Sequence, residues 1–184
     1  MTKLILVRHG ETDWNRENRI QGWLDIPLNE EGLKQAEKLA EELSEMKIEA
    51  VYSSPLKRAL QTAEVVADKH HLAVRKISAL REINQGKWQG LLVSEAKKRY
   101  RKLYPHWQRE PFEVRPPEGE RLEEVSRRVR KACRKIVDNH PQETVCLVTH
   151  KVAAALIKCH YLGLDRNRLW KLLPENAGWE IIRI

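Results

Sequence analysis

The chain switches between two hydrophobic periods. Leu4 to Val7 is an unbroken apolar run that stops at Arg8-His9-Gly10, the mark of a short buried strand. Asp13 to Arg19 is polar and long enough for one helical turn, and Gln21-Gly22-Trp23 with Asp25 to Leu28 reads as loop. From Asn29 or Glu30 to about Ser44 the period changes: Leu33, Ala36, Leu39, Ala40 and Leu43 share one helical face. Ala50 to Tyr52 is a second strand, closed by Ser53-Ser54-Pro55. Pro55 suits the first turn of a helix with Ser54 as its N-cap. That helix reaches about His70, with Leu56, Ala59, Leu60, Ala63, Val66 and Ala67 inward. Leu72 to Ile77 alternates as a third strand.

After Leu80 to Ile83 and a loop containing Gly86 and Gly90, the spacing predicts a basic amphipathic helix over Val93 to Leu103. The proline-rich stretch Pro105 to Gly119, with Pro116-Pro117, breaks regular structure there. Trp107, Phe112 and Val114 keep it apolar, so it reads as a lid segment (93–119) rather than a linker. A long helix follows from Glu120 to about Asn139, with Leu122, Val125, Val129, Ala132, Cys133 and Ile136 inward. Thr144 to Val148 is a strand ending in Thr149-His150, Val152 to Leu162 a helix with Gly163 as C-cap candidate, and Trp179 to Ile184 a last strand. Alternating strands and helices predict an α/β fold of three αβα layers, a mainly parallel sheet flanked by helices, in one domain over 1–184.

Composition narrows the function classes. Of 184 residues 41% are hydrophobic and 33% charged, as in a globular domain with many amphipathic helices. No apolar run is long enough to span a membrane and the N-terminus lacks the pattern of a secretory signal, so the expected location is cytoplasmic, with no membrane partner. Cys133, Cys146 and Cys159 form no C-x-x-C pair and sit among apolar residues, which predicts buried free thiols and no zinc site. The net charge of +8 suits either nucleic acid or anionic metabolites. Its densest parts, Lys97 to Lys102 and Arg127 to Lys135, have helical spacing and read as solvated faces. No zinc finger or aromatic RNA-binding motif accompanies them, and nucleic acid is not an expected partner.

Chemistry gathers at strand ends. Arg8-His9 follows the first strand and Thr149-His150 the strand after residue 144, so neighbouring parallel strands would bring both histidines to one edge. Arg58 lies one helical turn beyond Ser53-Ser54-Pro55. Glu82 stands between apolar residues in Leu80-Arg81-Glu82-Ile83, where desolvation raises a carboxyl pKa. Each has a bland reading: Arg58 on an exposed helix, Glu82 at the surface, His150 in the core. Their arrival together at strand ends favours a phosphate site, because guanidinium forks bind phosphate bidentately and a neutral imidazole is a usable nucleophile.

The sequence resembles the histidine phosphatase superfamily, which includes cofactor-dependent phosphoglycerate mutase. The matching stretches are Leu6-Val-Arg-His-Gly-Glu-Thr12, Gln21-Gly-Trp-Leu-Asp25, Ser53-Ser-Pro-Leu-Lys-Arg-Ala59 with Gln61-Thr-Ala63, Leu80-Arg-Glu-Ile83 with Gly86 and Trp88-Gln-Gly90, and Val148-Thr-His150. They come in the family's order and cover nearly the whole chain. The resemblance implies that His9 takes the phosphoryl group, that Arg8, Arg58 and His150 surround it with Asn15 as a further donor, and that Glu82 is the acid and later the base. Gln21, Gly22 and Lys151 are further substrate-binding candidates, and Trp23, Trp107 and Phe112 candidates for the pocket rim and lid. The helix after His150 is expected to aim its amides at the same anion. The expected partner is a small phosphate ester, with no metal and no cofactor; a homodimer is an allowed assembly.

The sequence departs from the family's pattern in places. Lys151-Val152 stands where a glycine, often a pair, commonly follows the second histidine. Metal-independent phosphoserine phosphatase also lacks that pair, so loss of activity does not follow; the added positive charge of Lys151 near the pocket predicts a substrate with a second anionic group such as a carboxylate. Gly119-Glu120-Arg121 stands where the family often has Gly-Glu-Ser, leaving Arg121 as an anion contact or a solvated side chain. Relatives often continue past the last strand into a tail over the pocket; ending at Ile184 suggests an open site or a shortened chain. The resemblance favours a phosphomonoesterase acting on phosphoserine, α-ribazole phosphate or a range of esters. The short 93–119 segment speaks against the alternative, a phosphoglycerate mutase. A non-catalytic regulatory member would be expected to have lost His9, Arg58, Glu82 or His150, and none is lost.

Overall fold

A computed structural model describes residues 1–184. Five strands, β1 (Lys3–Arg8), β2 (Ala50–Ser53), β3 (Val74–Lys76), β4 (Thr144–Thr149) and β5 (Trp179–Arg183), form one sheet in the order β3-β2-β4-β1-β5. β1, β2, β3 and β4 are parallel, and β5 runs antiparallel along β1. The helices are α1 (Asp13–Arg16), α2 (Glu30–Glu42), α3 (Lys57–Lys69), α4 (Val93–Arg99), α5 (Leu103–Arg109), α6 (Leu122–Asn139) and α7 (Lys151–Tyr161).

Alternation along the buried strands divides the core into two layers. Leu4 and Leu6 of β1 and Val145 and Leu147 of β4 face the apolar stripes of α6 and α7. Ile5, Val7, Cys146 and Val148 face α2 and α3. Strands with both faces covered need continuous apolar runs, which is why the 4–7 and 145–148 stretches do not alternate. The expected three-layer architecture is therefore present.

Four local expectations are corrected. Leu33 is 40% exposed; Gly32 turns inward instead, because the α2 backbone passes so close to Glu11 that a Cβ on Gly32 would lie 2.0 Å from the Glu11 carbonyl oxygen. The predicted 93–103 helix is broken at Tyr100 to Lys102, and α5 runs through Pro105. Proline is tolerated there because the first helical turn leaves its N–H groups without intrahelical partners. The strand predicted over 72–77 is reduced to Val74–Lys76 at the sheet edge. Finally, α3 begins at Lys57 rather than at Pro55. Ser54 is not its N-cap; the Lys57 N–H instead donates to Asp25 Oδ1 at 2.6 Å. Gly163, just past α7, takes the left-handed φ of +62° that ends a helix.

Candidate active site

β1 and β4 are hydrogen-bonded neighbours in register Arg8↔Thr149, so the residues that follow them emerge side by side. The His9 and His150 rings lie 5.2 Å apart, centroid to centroid, and both are buried. The carboxyl ends of parallel strands are where such sheets place ligands. A cleft of about 660 Å³ opens there, lined by Arg8, His9, Asn15, Gln21, Gly22, Arg58, Glu82 and Lys151 among others. A larger groove, about 990 Å³, runs between α6 and α7 under Arg127, Arg130, Lys131 and Arg134 and contains none of these residues.

His9 is fixed in orientation and in tautomer. Its Nδ1 is 2.6 Å from the Gly10 carbonyl oxygen. A carbonyl only accepts, so Nδ1 carries the proton and Nε2 keeps its lone pair. Burial, then the Arg58 and Arg8 guanidiniums, hold its pKa well below the ordinary imidazole value. The ring is neutral near pH 7, as nucleophilic attack requires. Gly10 is itself held, donating its N–H to Thr62 Oγ1 at 3.0 Å.

Arg8 and Arg58 both line the cleft, one at the end of β1 and one on α3. Arg8 Nη1 donates to the Pro174 carbonyl at 2.8 Å. Arg58 Nη1 and Nη2 donate to the carbonyls of Leu24 and Gly22 at 2.9 and 2.7 Å. Burial pulls the Arg58 pKa down to about 10, still well above neutrality. The Nε atoms of both guanidiniums are buried and unpaired. Buried donors without partners are uncommon, and two beside a neutral imidazole suit an anion.

His150 Nε2 lies 2.7 Å from Ser54 Oγ. The same hydroxyl accepts the Leu56 N–H at 3.3 Å, and the Nε2 lone pair is the one acceptor within reach of its own proton, so Ser54 donates to Nε2. That leaves Nδ1–H as a third buried donor without a protein partner, beside the two guanidinium Nε groups. Burial and Arg58 depress this pKa as well. The serine read from sequence as a helix cap thus serves the second histidine.

Glu82 differs from expectation. It was read as a carboxyl desolvated by apolar neighbours, with the amides of the helix after His150 turned toward the phosphate. Instead the carboxylate itself takes those amides: Oε2 accepts from Val152 N at 3.0 Å, and Oε1 from Ala153 N at 3.2 Å and Ile83 N at 3.0 Å. The first N–H groups of a helix need acceptors and favour a negative charge. Oε1 has both lone pairs occupied, whereas Oε2 keeps one, on a residue that lines the cleft.

Behind Glu82 stands Arg128 of α6. Its guanidinium grips Glu120 through Nε and Nη2 at 2.9 and 2.8 Å. It also donates to the carbonyls of Ala79, Arg81 and Glu82 at 2.8, 2.6 and 2.8 Å. Glu120 in turn accepts the Asn84 N–H at 2.8 Å. Arg121 is exposed and outside the cleft. No local pattern marks Arg128, since it lies in a basic helix among five other arginines and lysines between residues 127 and 135.

The remaining candidates divide. Asn15 Oδ1 accepts from the Thr12 N–H at 3.0 Å and from Asn176 Nδ2 at 3.2 Å, which turns the Asn15 amide group as a donor. Gln21 and Gly22 line the cleft, and Lys151 stands at its mouth. Desolvation and then Arg8 lower the Lys151 pKa, against Glu82 and Glu175. Trp23 is not at the rim: its Nε1 donates to the Glu82 carbonyl at 2.7 Å under a stacked Arg81. Trp107 lines the cleft, packed edge-on against Trp88 and Trp170 at 5.5 and 4.8 Å. Phe112 does not; it packs under Arg166 in the other groove. The turn Pro174 to Gly178, unread in the sequence, borders the cleft with Glu175 and Asn176. No group of three His, Cys, Asp or Glu side chains stands together to hold a metal ion.

The family model described as "Histidine phosphatase superfamily (branch 1)" matches residues 4–184. Phosphoserine phosphatase 1 of Hydrogenobacter thermophilus is 40% identical over 184 residues, covering 100% of this chain and 87% of that protein. The metal-independent phosphoserine phosphatase of Arabidopsis thaliana is 39% identical over 189 residues, covering 100% of this chain and 77% of that protein. Among solved structures, YhfR of Bacillus stearothermophilus superposes with a TM-score of 0.95 at 35% identity, over 100% of this chain and 92% of that one.

Proposed function

The chain belongs to the histidine phosphatase superfamily, and on that premise we propose that it is a metal-independent phosphomonoesterase working through a phosphohistidine on His9. The observation that carries the reading is the His9 ring, neutral, with its proton on Nδ1 and no partner on Nε2, in one cleft with two buried guanidiniums. Arg8, Arg58, His150 Nδ1–H and the Asn15 amide bind the phosphoryl oxygens and stabilise the charge that spreads over them in the transition state. His9 Nε2 attacks phosphorus, the bond to the ester oxygen breaks, and Glu82, entering the step in its acid form with the proton on the Oε2 lone pair that the α7 amides leave open, gives that proton to the leaving alkoxide. Glu82 then takes a proton from water as that water attacks phosphohistidine, releasing inorganic phosphate and restoring both groups.

The relatives named above as phosphatases favour hydrolysis over mutase chemistry. Their names, with Lys151 at the cleft mouth, support phosphoserine as the substrate, its carboxylate meeting the Lys151 ammonium. No helix is long and apolar enough to cross a membrane. Free thiols at Cys133, Cys146 and Cys159 support a cytoplasmic location, and gel filtration tests a homodimer.

The test is phosphate release from a panel of esters with EDTA present, 3-phosphoglycerate included under mutase conditions. His9→Ala is expected to lose roughly three orders of magnitude or more in kcat. Glu82→Gln should lose about a hundredfold or more on alkyl esters and far less on p-nitrophenyl phosphate, whose leaving group needs no proton. Full activity in His9→Ala, or loss in EDTA alone, overturns the mechanism.

A further inference from the structure

The cleft is built for an anion, with Arg8, Arg19, Arg58 and Lys151 along its walls. Besides Glu82, the acid and base of the proposed reaction, one carboxylate lines it: Glu175. Glu175 is exposed and takes part in no ion pair. Its charge is nonetheless felt at both Arg8 and Lys151.

Glu175 is not on a loose loop. Pro174 accepts from the Arg8 guanidinium at 2.8 Å, and Gly178 accepts the Arg8 N–H at 3.0 Å. Ala177 N–H donates to the His9 carbonyl at 3.1 Å, and Gly178 N–H closes the turn on the Glu175 carbonyl at 3.0 Å. The turn is thus tied to Arg8 and His9 at the end of β1, so the Glu175 backbone has a set place relative to the nucleophile and its exposed side chain reaches the cleft from there.

A carboxylate at the mouth of a phosphate site repels every purely anionic ester. It favours binding only when the ester also carries a cation. We propose that Glu175 is an ammonium subsite, and that with Lys151 it reads a zwitterionic leaving group, carboxylate to Lys151 and ammonium to Glu175. This rests on the phosphomonoesterase reading above and adds to it the residue that separates amino-acid phosphates from hydroxy-acid phosphates of the same size.

Phosphoserine and 3-phosphoglycerate form the probe pair, since an ammonium in one replaces a hydroxyl in the other. Initial rates of phosphate release by wild type, Glu175→Gln and Glu175→Lys give kcat/KM for each ester. The ratio of phosphoserine to 3-phosphoglycerate is expected to fall roughly fivefold in Glu175→Gln, the scale of a partly exposed ion pair, and further in Glu175→Lys. A ratio that stays within twofold in both variants overturns the subsite, including the case in which both esters lose rate together because Glu175 acts only on Arg8 or Lys151. If wild type hydrolyses p-nitrophenyl phosphate but neither of the pair, the subsite falls and the phosphatase stands. If it releases phosphate from no ester at all, both fall.

Discussion

His9 and His150 are both strand-end imidazoles, yet their protons are placed for opposite tasks. The Gly10 carbonyl takes the Nδ1 proton of His9 and frees Nε2 as a lone pair. The Ser54 hydroxyl gives its proton to Nε2 of His150 and leaves Nδ1–H as a donor. A nucleophile and an oxyanion partner thus arise from one residue type through one neighbour each. The expected outcome in ring nitrogen spectra of the free enzyme is two neutral rings, both protonated on Nδ1. Neither should titrate near 6.5, because burial and the guanidiniums depress both. An Nε2–H tautomer for His9 would sink its assignment as the attacking nitrogen. The histidines themselves were legible in the sequence because each follows an apolar strand run. Their tautomers were not, since Gly10 O and Ser54 Oγ become partners only after β1, β2 and β4 are laid side by side.

At the scale of elements, what could be read was whatever is periodic. Apolar runs located β1, β2 and β4, and the stripes of α2, α3, α6 and α7 appeared within a few residues of their bounds. What could not be read was whatever depends on two distant segments approaching. Gly32 replaced Leu33 in the core because of the Glu11 backbone, and Glu82 met α7 because α7 needed an acceptor for its amides. Arg128 is the clearest case. It joins α6 to the Ala79–Glu82 segment through three carbonyls and to Glu120 through a bidentate pair, with 19% of either side chain exposed. Arg128→Met leaves a part-buried carboxylate and three carbonyls without their donor, which should cost about 3 kcal/mol in urea denaturation. A second readout isolates positioning. If Arg128 holds Glu82 in place, kcat should fall more for alkyl phosphates than for p-nitrophenyl phosphate. Arg128→Lys should recover part of the stability but little of that difference, having no planar fork. Equal losses on both esters would reduce Arg128 to a stabilising residue.

Over the whole molecule, the site sets a pH dependence of folding. The imidazoles of His9 and His150 are buried neutral among cations, with pKa values well below 6.5 in the fold, while in the unfolded chain they return to about 6.5. The sign follows from proton counting. Above pH 7 neither state binds these protons and the two sites add no pH dependence. Below about 6.5 the unfolded chain takes them up and the folded protein does not, so stability falls as pH falls. Each such site contributes a limiting slope of about 1.4 kcal/mol per pH unit, or ~2.7 for the pair. Between about pH 6.5 and 5.5 ordinary carboxylates contribute little, because they begin to take up protons only below it; His70 and His160, whose pKa values burial also lowers, are replaced by glutamine so that the two site histidines carry the change. The free energy of unfolding, measured in urea across that window, should drop by about 2 kcal/mol, since the limiting slope is reached only once the unfolded imidazoles are fully protonated. Phosphate or vanadate should oppose the drop by binding the folded state alone, adding about 2.7 kcal/mol at a hundredfold excess over Kd. A flat profile between pH 6.5 and 5.5 would mean that the fold accepts protons on both rings, and His9 would then lose the lone pair on which the phosphohistidine route depends.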